Sequence, residues 1–218
     1  MRQIIWVLLV TITFSCNNIS SQNNDPLTNW ATQNAQKIET LSPTNNQNDL
    51  TSLKQIVGNA EVVCQGESRH DIHEQFNLKH RFIKYLVEEM EFTTFVLEAS
   101  LPYSNRINDY VLHGTGELDD ILAGMPGWFL WDTEEIKEIL QWIRMYNQDP
   151  TNEKKVNFYG IDIVAPNDGL DQIFSFLEKV DKPFWEEMQE NYFARDIIDD
   201  NYWPSTRQRY AELTPEQK

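Results

Sequence analysis

The chain has 218 residues, which is enough for one domain with a buried hydrophobic core. It carries 18 Lys and Arg residues against 34 Asp and Glu residues, so its formal net charge at pH 7 is −16. Such an acidic chain repels a phosphate backbone, and we therefore exclude nucleic acid as an expected partner.

The N-terminal segment has the pattern of an export signal. Arg2 supplies a positive charge, and residues 4–14 form an 11-residue apolar run that is too short to span a bilayer. We expect residues 1–15 to be a signal peptide. Ser15 before Cys16 resembles the cleavage site of a bacterial lipoprotein, in which Cys16 becomes the lipidated first residue. The alternative is an ordinary secreted protein with an unmodified cysteine.

A polar segment follows at residues 16–49, rich in Asn, Gln, Ser and Thr, and it is predicted to be a tether with a helix at 30–41. The protein is predicted to be exported and anchored to a bacterial membrane, facing the periplasm, with the lipid at Cys16 as the membrane contact. The oligomeric state is left open. Cys64 lies in an apolar segment, which predicts a buried and unreactive thiol.

From residue 50 onward, helical and strand patterns alternate along the chain. Residues 50–57 are predicted to be a helix and residues 61–65 a short buried strand. The next helix has an apolar face, and Asp71 followed by Glu74 resembles a capping box at its start. The apolar residues of that face are Phe76, Ile83, Leu86 and Met90.

Two further helix and strand pairs complete the pattern. Residues 92–99 and 156–161 are predicted strands, and residues 169–180 a helix. The most regular helical spacing in the chain is that of Ile136, Ile139, Leu140 and Ile143. This alternation predicts an α/β fold over residues 50–218, with a largely parallel sheet, helices on both faces, and a sheet that is incomplete at the C-terminus.

An acidic residue stands at or close to the end of each predicted strand, namely Glu67, Glu98 and Asp162. Parallel sheets of this class bind ligands beyond the carboxyl ends of their strands, where side chains from separate segments meet. We therefore expect these carboxylates to share one site.

Glu67 and His70 are three residues apart at a predicted junction between strand and helix. A carboxylate beside an imidazole favours a basic, oriented histidine, which is what a general base that activates water requires. The alternative is that Glu67 caps the helix and His70 packs against it. His73, His80 and His113 are predicted to lie on helix surfaces or in loops and to have no role.

No cofactor is expected from the motifs of the chain, which include no phosphate loop, dinucleotide fingerprint or His-Glu-x-x-His helix. Three carboxylates and a histidine could still hold a divalent cation, and this is kept as the minor alternative. Trp131 and its neighbouring aromatic residues could line an apolar substrate cleft or pack in the core.

Five motifs together resemble the erythromycin esterase family, and their order and spacing agree across about residues 50–180. They are Gly66-Glu67-Ser68-Arg69-His70, Leu97-Glu98-Ala99, Trp131-Asp132-Thr133-Glu134-Glu135, Trp142-Ile143-Arg144-Met145-Tyr146-Asn147 and Phe158-Tyr159-Gly160-Ile161-Asp162. The resemblance implies hydrolysis of a small-molecule ester, in the best-known members the macrolactone of an antibiotic. It also implies that His70 is the water-activating base and that Glu67 and Glu98 are acidic site residues.

The chain departs from the family in two respects. Lys79 stands where the family often has arginine, which keeps the positive charge but loses the bidentate fork. Family members are about twice as long and supply further site histidines, whereas this chain has no histidine after Asp162. We therefore expect a fragment of an ester hydrolase in which Lys79 or residues beyond the chain help to hold the oxyanion. The alternative is an inactive lipoprotein that binds a metal or small ligand in the same acidic pocket.

Overall fold

The computed structural model describes residues 25–125, 128–162, 164, 166–191 and 203–215. The predicted signal peptide at 1–15 and the lipidation site at Cys16 lie outside these residues. The chain divides into two compact units, Met1–Lys37 and Ile38–Lys218. In the described part of the first unit, α1 spans Pro26–Asn34 and begins where the Asp25 carboxylate accepts a hydrogen bond from the Thr28 amide. This helix begins and ends earlier than the predicted helix at 30–41.

The second unit contains one sheet and a series of helices. No helix within the described ranges is both long enough and apolar enough to cross a membrane. In chain order, its elements are a 3₁₀ turn at Asn48–Leu50, α2 (Thr51–Val57), α3 (His73–Met90), β1 (Thr94–Ser100), α4 (Ser104–His113), α5 (Leu118–Ala123), α6 (Trp128–Trp131), α7 (Glu134–Gln148), β2 (Asn157–Asp162), α8 (Pro166–Val180), α9 (Lys182–Asn191) and α10 (Trp203–Glu212).

The two strands β1 and β2 pair in parallel, which confirms the predicted α/β class and the parallel pairing. Gly160 in β2 lies so close to β1 that a β-carbon there would come within 2.5 Å of the Ala99 and Ser100 carbonyl oxygens. On one face of β1, Phe95 and Leu97 are buried in the core. The other face of the sheet is open within the described part of the chain, where Val96 of β1 and Tyr159 of β2 remain 44% and 43% exposed.

Helix α7 buries its apolar face in the core, in agreement with the helical spacing of its sequence. Its apolar face is Ile136, Ile139, Leu140 and Ile143, all at most 1% exposed. Asn147 is the last buried residue of this helix, and both ends of its side-chain amide form hydrogen bonds. Nδ2 donates to the Val111 and Val156 carbonyls, and Oδ1 accepts from the Val156 amide at 2.7 Å. This side chain joins α7 to the end of α4 and to the residue that precedes β2.

The segment before α2 belongs to the compact unit, which begins at Ile38, within the predicted tether. Arg81 of α3 is 1% exposed and donates to the Thr40 and Asn46 carbonyls and to the Asp49 carboxylate. The hydrogen bond from Arg81 outweighs the effect of burial and holds the pKa of Asp49 well below its usual range. The residues from Thr40 to Asp49 are thus attached to α3.

His80 of α3 is buried rather than on the helix surface, contrary to the prediction. It is 6% exposed and packs against Trp142, with its two ring nitrogens unpaired. Burial, with a contribution from the Lys84 charge, lowers the pKa of His80 to about 4. The ring is therefore neutral at physiological pH and fills space in the core.

Four local predictions between residues 61 and 100 are wrong. Residues 61–65 form no strand, and Cys64 is exposed instead of buried. An apolar run favours burial, but a strand also needs a neighbouring backbone for its hydrogen bonds, and among the described residues none pairs with this segment. The capping box is absent because the Asp71 carboxylate binds Arg69, and α3 begins at His73. β1 also continues past Glu98 to Ser100.

We expect Asp49→Ala to lower the free energy of unfolding by about 3–5 kcal/mol, because it leaves the buried Arg81 guanidinium without its carboxylate. Urea denaturation at pH 7 measures this change. The matched control is Asp71→Ala, which removes the ion pair between Asp71 and Arg69. Because these two side chains are 65% and 70% exposed, we expect this substitution to change the free energy of unfolding little. Equal losses in the two variants would contradict the structural role given to Asp49.

Candidate active site

A cleft of about 940 Å³ lies between the segment at residues 60–67, one side of α3 and the strand β1. Its walls are mainly apolar and include Phe82, Leu86 and Val96. Glu67, His70, Lys79, Glu98 and Trp131 all line it. The structure therefore brings five of the six predicted site residues of the folded body to one cavity.

The Glu67 carboxylate connects two basic side chains in this cleft. One of its oxygens contacts Nδ1 of His70, and the other accepts a hydrogen bond from Nζ of Lys79 at 2.5 Å. The Glu67 and Lys79 side chains are only 13% and 10% exposed. Burial opposes ionisation of Glu67, but the hydrogen bonds from Lys79 and His70 outweigh it and hold the pKa of Glu67 below its ordinary value.

The contact with Glu67 determines which nitrogen of His70 can act as a base. An ionised carboxylate can only accept hydrogen bonds, so Nδ1 of His70 carries the proton and donates a hydrogen bond to Glu67. In the neutral ring the lone pair is then on Nε2, and the His70 side chain remains 40% exposed. This arrangement can take a proton from a water molecule in the cleft.

Trp131 supports the His70 ring from the core side. The two ring centroids are 5.2 Å apart in an edge-to-face arrangement, and the indole ring also contacts Phe76. Trp131 is 3% exposed and belongs to the hydrophobic core. The sequence allowed Trp131 to be either a core residue or a residue that lines the cleft. In the structure it is both.

The remaining predicted site residues differ in their placement. Glu98 lies on the open face of β1 and lines the cleft. Lys79 is committed to Glu67 and lies 4.5 Å from the centre of the Phe76 ring, so its ammonium is not directed to an oxyanion in this structure. Asp162 is outside the cleft lining, at the end of β2, where its carbonyl accepts a hydrogen bond from the Leu101 amide.

A second carboxylate and imidazole pair lies beside the cleft and was missed by sequence reasoning. Nδ1 of His73 contacts the Glu135 carboxylate at the start of α7. The two residues are 62 positions apart, so no local spacing reveals the pair. Its only signal in the sequence was the presence of Glu135 in the motif around Trp131.

Across the part of the chain that the structure describes, no three His, Cys, Asp or Glu side chains form a group that could hold a metal ion. The two carboxylates nearest to histidines, Glu67 and Glu135, are each occupied by hydrogen bonds.

The fold and the cleft define an α/β protein with a carboxylate-oriented histidine next to a parallel sheet. The family model for erythromycin esterase matches residues 87–217, more than half of the chain. The chain belongs to the erythromycin esterase family. Its match to the model starts after Glu67, His70 and Lys79.

Two curated relatives agree with this assignment. The chain is 34% identical over 146 residues to an erythromycin esterase type II of Escherichia coli, an alignment that covers 64% of this chain and 33% of the relative. It is 24% identical to the putative hydrolase YbfO of Bacillus subtilis over an alignment of 223 positions, gaps included. This alignment covers 97% of this chain and 47% of the relative. The chain spans between a third and a half of the length of these relatives.

Solved structures share the fold. A Bacillus cereus protein superposes with a TM-score of 0.69 at 33% identity, covering 88% of this chain and 45% of its own. A succinoglycan biosynthesis protein gives 0.68 at 31% identity, with coverage of 83% and 44%. The open form of the erythromycin esterase EreC, as a histidine-to-asparagine mutant, gives 0.64 at 24% identity, with coverage of 81% and 43%. The likeness to EreC is one of fold.

We expect Lys79→Met to raise the pKa of Glu67, because the carboxylate loses its strongest stabilising hydrogen bond while its burial remains. A ¹³C NMR titration of the glutamate side-chain carboxyl groups measures this shift. Lys84→Met on the same helix is the control, since Lys84 binds the Pro43 carbonyl instead. An unchanged Glu67 titration in Lys79→Met would contradict the pairing described above.

Proposed function

We propose that this chain carries part of the active site of a hydrolase that cleaves small-molecule esters by attack of water. The convergence of Glu67, His70 and Glu98 on one cleft carries the proposal, because it supplies an oriented base beside a cavity of substrate size. Membership of the erythromycin esterase family supports the same reaction class. The erythromycin esterase name of the Escherichia coli relative makes a macrolactone the first substrate to test, with antibiotic resistance as the corresponding biological role.

In the proposed reaction, Nε2 of His70 accepts a proton from water while the water oxygen attacks the ester carbonyl carbon. The resulting tetrahedral oxyanion then expels the alcohol oxygen, which takes the proton back from Nε2, so the products are a carboxylic acid and an alcohol. Glu67 holds the ring in the required tautomer and stabilises the imidazolium that forms transiently.

Lys79 has a different role in this proposal from the one that the sequence indicated. Because its ammonium is hydrogen-bonded to Glu67, it keeps that carboxylate ionised and therefore able to orient His70. Glu98 is a further carboxylate of the cleft lining and is proposed to contact the substrate or the attacking water. Donors to the oxyanion are proposed to come from the part of the family fold that this chain does not span.

His70→Gln is expected to reduce ester hydrolysis by about 10²–10⁴-fold, because the amide cannot accept the proton from water. The measurement is the initial rate of hydrolysis of a macrolactone and of simple aryl esters by purified protein. His113→Gln is the control, since His113 is the exposed last residue of α4. Undiminished hydrolysis in His70→Gln would refute the role of the base.

The competing proposal is a protein that binds a metal or a small ligand in the same cleft without turnover. It predicts stoichiometric cation in protein purified without chelator, or saturable binding of an ester that is recovered intact. Elemental analysis and recovery of the bound ester distinguish this function from hydrolysis.

We also propose that the protein is exported and anchored to the membrane by lipid on Cys16. The apolar run before Ser15 and Cys16 supports the proposal. Cys16→Ser is expected to abolish incorporation of radiolabelled palmitate and to move the protein from the detergent-rich to the aqueous phase. Cys64→Ser is the control, because Cys64 belongs to the folded body. Equal labelling of the two variants would contradict the anchor.

A further inference from the structure

The contact between His73 and Glu135 joins the N-terminal ends of two helices. His73 is the first residue of α3, and Glu135 lies in the first turn of α7. Nδ1 of His73 meets the carboxylate, and Nε2 of the same ring lies 2.8 Å from the Asn77 amide nitrogen. The Asn77 amide nitrogen can only donate, so in the neutral ring Nε2 accepts from Asn77 while Nδ1 donates to Glu135. In the imidazolium only the contact with Glu135 remains, and 64% of the side chain is exposed.

The position of this pair in the chain connects it to the proposed base. His73 follows His70 by three residues, and Glu135 follows Trp131 by four. The rings of His70 and Trp131 are themselves in edge-to-face contact, with an interplanar angle of 75°. The ion pair thus fixes the two backbone segments that carry these rings, and it does so within about one helical turn of each.

The charges around His73 favour the ion pair. The hydrogen bond to Glu135 raises the pKa of His73 against the opposing effect of burial, and the charges of Glu135, Glu74 and Glu138 add to the rise. The same hydrogen bond holds the pKa of Glu135 below its usual range.

We propose that His73 and Glu135 form a positioning pair that holds Trp131 against His70 and so determines the orientation of the base. The consequence for activity rests on the proposed function, whereas the consequence for the His70 ring does not. Glu67 constrains one nitrogen of that ring, and Trp131 restricts the rotation that a single hydrogen bond leaves free. His73 and Glu135 act through Trp131 and need not touch the substrate.

The test compares Glu135→Gln with Glu134→Gln. Both residues lie in the first turn of α7, so each substitution removes one favourable interaction with the helix dipole, but only Glu135 contacts His73. The ring current of Trp131 shifts the NMR signals of the His70 ring protons. The Trp131→Leu variant provides the reference chemical shifts of these protons in the absence of the ring current. We expect Glu135→Gln to move them at least halfway to the Trp131→Leu positions, and Glu134→Gln to leave them unchanged.

The activity readout is the separate effect on kcat and KM. A misplaced base slows the chemical step, so kcat should fall about 10–100-fold in Glu135→Gln while KM stays within about twofold. His73→Gln breaks the pair from the other side and should reproduce both results. Far-UV circular dichroism establishes that each variant is folded.

The outcomes separate the two proposals. If the wild-type protein hydrolyses no ester, the proposed function fails, but the His70 signals still decide whether the pair positions the ring. If folded Glu135→Gln and His73→Gln match Glu134→Gln in the His70 signals, the positioning pair is refuted, whatever the activity of the wild type.

Discussion

Two buried cations on the same helix, Lys79 and Arg81, each hold another segment of the chain against that helix. Lys79 and Arg81 of α3 have side chains that are 10% and 1% exposed. A buried charge without a partner costs several kcal/mol, so each of these side chains requires a carboxylate brought to it by another segment. Arg81 takes Asp49 and thereby attaches the residues before α2, and Lys79 takes Glu67 and thereby attaches the segment that forms one wall of the cleft.

The proposed chemistry follows from the second of these pairings. Glu67 is ionised because Lys79 and His70 together outweigh its burial, and an ionised Glu67 is what assigns the proton of His70 to Nδ1. The Glu67 carboxylate therefore has two roles, because it neutralises the buried Lys79 and also orients the proposed base His70. The same helix begins with His73, whose partner Glu135 connects the start of α3 to the segment that carries Trp131. Helix α3 thus contacts every part of the chain that contributes a side chain to His70.

The family assignment and the geometry describe different parts of the chain and complement each other. The family model covers residues 87–217, whereas the bridging carboxylate, the histidine and the buried lysine lie before that range. The solved structures at 31–33% identity cover more than four-fifths of the chain and share its fold. Since the chain spans less than half of each of those structures, the cleft described here corresponds to part of a larger fold.

The sequence by itself determined the features that depend on local pattern. The buried face of α7, the parallel pair β1 and β2, and the grouping of Glu67 with His70 all follow from spacing of three or four residues, or from alternation along a strand. Tertiary structure decided the features that depend on a distant partner. Residues 61–65 are apolar enough for a strand but form none, since pairing requires a neighbouring backbone in register, and Cys64 is consequently exposed. Lys79 binds Glu67, His73 binds Glu135 and His80 is buried because of where the chain folds back on α3, which no local spacing records.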